Sequence, residues 1–74
     1  MAPVPALPGG RLVKALENAG FTVARVKGSH HVMRHPDGRT VTVPVHAGRD
    51  MPKGTVRNIL AITGLTPDDL QKLL

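Results

Sequence analysis

The chain lacks cysteine, tryptophan and tyrosine, and Phe21 is its one aromatic residue among Phe, Trp and Tyr in 74 residues. Without cysteine there is neither a disulfide staple nor a thiolate metal site. With one aromatic ring there is no stacking platform of the kind that RRM-type and single-strand-binding domains use to grip bases. No run approaches the ~18 apolar residues that span a bilayer. A length of 74 residues allows one small domain, which buries only roughly 60% of its unfolded surface, and leaves no room for a nucleotide-cofactor enzyme, whose first βαβ unit alone would use about half of it. No cofactor is expected.

What is present is positive charge. Ten Lys and Arg stand against five Asp and Glu, a net charge of +5. Between positions 25 and 57 lie Arg25, Lys27, Arg34, Arg39, Arg49, Lys53 and Arg57 with only Asp37 and Asp50 against them. The whole excess therefore sits in the middle of the chain. An anionic partner is implied, and with so few aromatics its phosphates are the better target than its bases. A plain solvated basic surface is the competing reading of the same charges.

The opening Met1-Ala-Pro-Val-Pro-Ala-Leu-Pro-Gly-Gly10 is broken by prolines and has no basic stretch before its apolar residues. It reads as a flexible tail rather than a signal peptide, and the domain proper is expected over 11–74 in the cytoplasm. Leu12, Ala15, Leu16 and Ala19 are spaced as one face of a helix over 11–19, ended by Gly20. Strands follow at 21–26, 30–34 and 39–43, the last with Val41 and Val43 alternating against threonines. Pro36-Asp-Gly38 is a turn by its chemistry, which makes the second and third strands a hairpin. A second helix is expected from Pro52 to Gly64, with Asp50 or a neighbour as its cap. Thr66-Pro-Asp-Asp69 opens a short third helix, forming an extension over 65–74. The order α-β-β-β-α with that extra helix defines an α+β domain, a three-stranded antiparallel sheet with its helices on one face and the other face free.

The densest chemistry is Lys27-Gly-Ser-His-His31. Gly28 lets the backbone turn and approach a ligand, Ser29 adds a hydroxyl, Lys27 a charge, and histidine a side chain suited to proton transfer. Adjacent strand residues point to opposite faces, so His30 and His31 cannot both attend one phosphate unless Gly28-Ser29 distorts the strand. His31 and His35 share a face but stand about 13 Å apart at ~3.3 Å per residue. One catalytic histidine, helped by nearby cations or by His46, is the simpler construction. Four histidines with neither an HExxH motif nor an acid spaced among them do not read as a metal site.

The stretches Ala19-Gly-Phe21, Lys27-Gly-Ser-His-His-Val-Met-Arg-His-Pro-Asp-Gly-Arg-Thr-Val-Thr-Val-Pro44, Met51-Pro-Lys-Gly-Thr-Val-Arg-Asn-Ile-Leu60 and Gly64-Leu65 closely resemble the HicA family of toxin mRNA interferases, over roughly 11–65. The resemblance implies a double-stranded-RNA-binding-domain-like fold, metal-independent cleavage of mRNA at one histidine of this motif, and a HicB-type antitoxin as partner. It places the catalytic role on His30 first, with His31 as rival. Lys27, Gly28, Ser29, Arg34, Arg39 and Lys53 are then the candidate phosphate contacts. Two other readings compete: a domain of the same fold that binds structured RNA by shape without cutting it, and a DNA-binding regulatory subunit, for which no recognition helix with a basic arm is evident.

Overall fold

The computed structural model describes residues 3–74; Met1 and Ala2, part of the proline-rich opening, lie outside them. The elements run α1 (Gly9–Asn18), β1 (Thr22–Lys27), β2 (His30–Arg34), β3 (Thr40–Pro44), α2 (Lys53–Thr63) and α3 (Pro67–Leu73). The strands form one antiparallel sheet in the order β1-β2-β3, and the α+β architecture is the one expected from the sequence.

α1 presents Leu12, Ala15 and Leu16 to the core, α2 presents Val56, Ile59, Leu60 and Thr63, and α3 presents Leu70. These meet Met33 of β2, Val41 and Val43 of β3, and Phe21, which precedes β1. Asn18 Nδ2 ties the end of α1 to the Leu73 carbonyl of α3 (3.0 Å). α1 starts at Gly9 rather than at Arg11, and the reason is tertiary. A Cβ on Gly9 would fall on the Pro44 carbonyl, so the absent side chain lets this end of the helix lie against the end of β3. Ahead of it, Val4 and Leu7 join the core cluster. The segment is tied to the loop before α2 by the Met51 amide, which donates to the Leu7 carbonyl (2.9 Å), and by a bridge between Pro8 and Asp50.

β1 alternates imperfectly in sequence because its pairing with β2 slips by one residue between Val23 and Arg25. That bulge leaves Val23 and Val26, three apart, opposite Met33 and His31 on the helix side, and turns Thr22, Arg25 and Lys27 to the other side. Gly28 and Ser29 then form a two-residue hairpin loop. Gly28, at φ +59°, takes the first loop position, which the type II′ turn reserves for glycine.

α2 has no side-chain cap at its N-terminus, so Asp50 does not play that part. Pro52 occupies the cap position and holds the chain extended at the helix entrance. α3 does have its cap. The Thr66 hydroxyl accepts from the Asp69 amide (3.0 Å) and the Asp69 carboxylate accepts from the Thr66 amide (2.9 Å), the reciprocal pair of a capping box.

Two carboxyls are held below their usual range. The Thr66 amide does this to Asp69, and the Arg39 amide and guanidinium do it to Asp37 in the β2–β3 turn. Depressed native values mean that the ionised forms stabilise the fold at and above neutral pH. The contribution is lost as pH falls from the ordinary value, 3.8, through the lower native one. In thermal melts Asp37→Asn and Asp69→Asn should each lower the midpoint at pH 6, and the gap to wild type should close by pH 2; a gap unchanged across that range would refute the assignment.

Candidate functional site

The face of the sheet away from the helices is set by strand alternation. Met33, Val41 and Val43 point into the core, so His30, Val32 and Arg34 of β2, together with Thr40 and Thr42 of β3, point outward. The register adds Thr22, Arg25 and Lys27 of β1 to that face. All of these except the half-buried Val32 are exposed. Among the described residues, the only carboxylate within ion-pair reach of a cation is Asp37. Arg25, Lys27 and Arg34 thus form an uncompensated positive strip across β1 and β2.

His30 sits at one end of this strip, paired across the strands with Lys27 on one side and Pro44 on the other. Directly opposed residues have Cβ atoms about 4.5–5.5 Å apart, so the Lys27 ammonium and the His30 imidazole can address the same anion. Gly28 and Ser29 close the hairpin beside them. The space where a Gly28 Cβ would lie is open, and the Ser29 carbonyl accepts from the Val45 amide (2.6 Å), which ties this hairpin loop to the residue after β3.

His31 faces the other way, as alternation requires. It is paired with Val26 and Val43 and half-buried, with its Nδ1 sealed from solvent and without a hydrogen-bond partner. The two adjacent histidines therefore do not share a site, and Gly28-Ser29 does not distort the strand enough to bring them together.

The other sequence candidates divide. Arg34 lies on the open face about 13 Å along the strand from His30, too far for the same phosphate and placed for a neighbouring one. Lys53 opens α2 and is exposed, beyond the end of β3. Arg39 is committed elsewhere: its Nη1 donates to the Thr63 carbonyl at the end of α2, its Nε donates to Asp37 Oδ2 (2.8 Å), and its guanidinium lies 5.1 Å from the centre of the Phe21 ring. His35 joins this cluster edge-on to Phe21, and its Nδ1 accepts from the Asp37 amide (3.1 Å). The far end of the hairpin is thus a locking network that ties β2–β3 to α2.

Arg25 is the open-face cation that motif reading passed over. Alternation from Lys27 puts it on the same face, since the register shift lies on its other side, between Val23 and Arg25. Among the described residues no three His, Asp or Glu side chains gather as a metal site, and no helix is long and apolar enough to cross a membrane. A groove of about 550 Å³ between Val4, Leu60, Ala61 and Pro67 has no histidine in its lining.

Fold and site together define a small α+β domain that offers a histidine within an unpaired basic sheet face. The family model described as the HicA toxin of bacterial toxin-antitoxin systems matches residues 9–65, which takes in every strand, α1, α2 and both histidines of the hairpin. The chain belongs to the HicA toxin family. An antitoxin partner comes with that membership. No curated protein matches the chain.

Proposed function

We propose that this toxin is an RNA endonuclease and that His30 carries its proton transfer. The supporting observation is the open sheet face, where an exposed histidine stands opposite Lys27 at the end of the strip formed with Arg25 and Arg34. Phosphates held along that strip set the register of the chain, and Lys27 draws one of them to His30. The imidazole takes the proton of a ribose 2′-OH. The 2′ oxygen then forms a bond to phosphorus, and the bond from phosphorus to the 5′ oxygen breaks. The departing oxygen takes up a proton from water, leaving a 2′,3′-cyclic phosphate and a 5′-hydroxyl. Lys27 balances the charge that builds on the non-bridging oxygens. DNA, which has no 2′-OH, is not cut.

His30 is favoured over His31 because an exposed ring offers either nitrogen to substrate, whereas the sealed Nδ1 of His31 leaves one nitrogen at most. The partner under this reading is a HicB-type antitoxin whose acidic groups cover His30 and the strip. The test is purified protein with mixed-sequence RNA in EDTA. Cleavage is expected, with cyclic-phosphate ends, and a HicB-type antitoxin should suppress it. Intact RNA, whether retained by the protein or not, would overturn the nuclease reading; intact but retained RNA is what a shape-reading RNA-binding module gives.

A further inference from the structure

A second feature adjoins His30. Between the end of β3 and the start of α2 is a hollow of about 280 Å³, walled by Pro44, His46, Arg49, Asp50, Met51 and Pro52. Pro44, one of its walls, is also the β3 residue paired with His30. The hollow and the histidine are therefore neighbours across a single residue.

Its shape is held in place before any ligand arrives. The Val45 amide donates to Ser29, the Arg49 amide to His46 (3.1 Å) and the Met51 amide to Leu7 (2.9 Å), while Asp50 bridges to Pro8. The proline-rich segment and the hairpin loop thus brace the pocket from two sides. Its apolar lining is Pro44, Pro52 and Met51, the last only 5% exposed, and its polar lining is His46, Arg49 and Asp50, all exposed. At 280 Å³ it falls below the ~300–1,000 Å³ of pockets for drug-sized ligands. One planar ring system fits, and a dinucleotide does not.

We propose that this hollow is a base-specificity subsite that takes a guanine next to the phosphate held at His30 and Lys27. The flat apolar walls and the imidazole supply faces for stacking, in a chain that has almost no aromatic residues to do so. The polar lining supplies the code. Arg49 is a two-point donor, matched to the O6 and N7 acceptors of guanine. Asp50 is a two-point acceptor, and among the four RNA bases only guanine offers it adjacent N1–H and N2–H donors. Uracil and adenine satisfy one of these side chains at most and leave the other unpaired.

The assignment rests on RNA being the substrate, and its test does not depend on cleavage. Isotope-labelled protein is titrated with each of the four 5′-ribonucleotides and, separately, with inorganic phosphate, following the amide signals of Arg49, Asp50 and Met51. Guanosine monophosphate should bind about tenfold or more tightly than uridine monophosphate. Asp50→Asn, an exposed and nearly isosteric change, should abolish that preference with the rest of the spectrum in place, as should Arg49→Ala. Equal binding of all four nucleotides, or shifts no larger than inorganic phosphate gives, would overturn the base subsite. Sequencing of cleavage ends adds an independent readout, in which one position beside the cut is enriched in guanine for wild type and not for Asp50→Asn. Cleavage without guanine preference refutes the subsite alone, whereas guanine binding without cleavage refutes the nuclease and leaves the pocket.

Discussion

His30→Ala should lower the RNA cleavage rate by about 10²- to 10⁴-fold, the usual worth of a positioned proton-transfer group. The loss should appear in kcat, with KM and RNA retention nearly unchanged, because an exposed imidazole opposite Lys27 contributes little to gripping the chain. Lys27→Ala should give a different signature. It removes a phosphate contact, so KM rises and the salt dependence of binding flattens by about one unit of slope, with a further fall in kcat to the extent that the ammonium steadies the transition state.

His31→Ala is the decisive companion. It lies on the helix side of β2, half-buried, with Val26 and Val43 as its cross-strand partners, so a stability change is expected and a specific loss of kcat is not. Single-turnover cleavage at saturating protein separates these effects, with each variant checked by its melting curve. If His31→Ala, still folded, loses the 10²-fold or more and His30→Ala does not, the catalytic role moves to the buried side of β2 and the open face becomes only a binding surface.

How far the fold could be read in the residues depends on whether its causes are local. β2 over 30–34 and the end of α2 at Gly64 are written in alternation, in helical spacing and in turn residues, and they stand where the sequence puts them. The start of α1 is not local. Gly9 and Gly10 are poor helix formers, and only the approach of the Pro44 carbonyl explains the missing side chain at Gly9. The face of Val23 at the start of β1 is not local either. Counting by twos from Lys27 puts Arg25 and Val23 on one side, and the bulge moves Val23 to the other. Opposite faces for His30 and His31 followed from strand geometry alone. The commitment of Arg39 did not, because its partners Phe21 and Thr63 are distant in sequence and become its neighbours only when α2 packs on the sheet. A basic residue in a basic window looks like a phosphate contact until the groups that occupy it are in place.

That network makes Phe21 the residue on which stability should depend most. It is 1% exposed and lies between Leu16 at the end of α1, whose carbonyl accepts from its amide (2.9 Å), and the start of β1. Its ring also carries Arg39 above it and His35 at its edge, with centroids 5.0 Å apart. Phe21→Ala should cost about 3–5 kcal/mol through lost burial and the cavity left behind. At ~0.05–0.15 kcal/mol per residue, a domain of this size holds only about 4–11 kcal/mol in total. The melting midpoint should fall by about 12 °C or more, and at 37 °C much of the population should be unfolded. Phe21→Leu separates volume from ring chemistry. It keeps most of the apolar burial and gives up the edge contact and the cation–π contact, about 0.5–1.5 kcal/mol each, so its midpoint should lie between wild type and Phe21→Ala. A leucine variant as unstable as the alanine one would show that the ring's hold on Arg39 and His35, more than its bulk, keeps the hairpin fixed to α2.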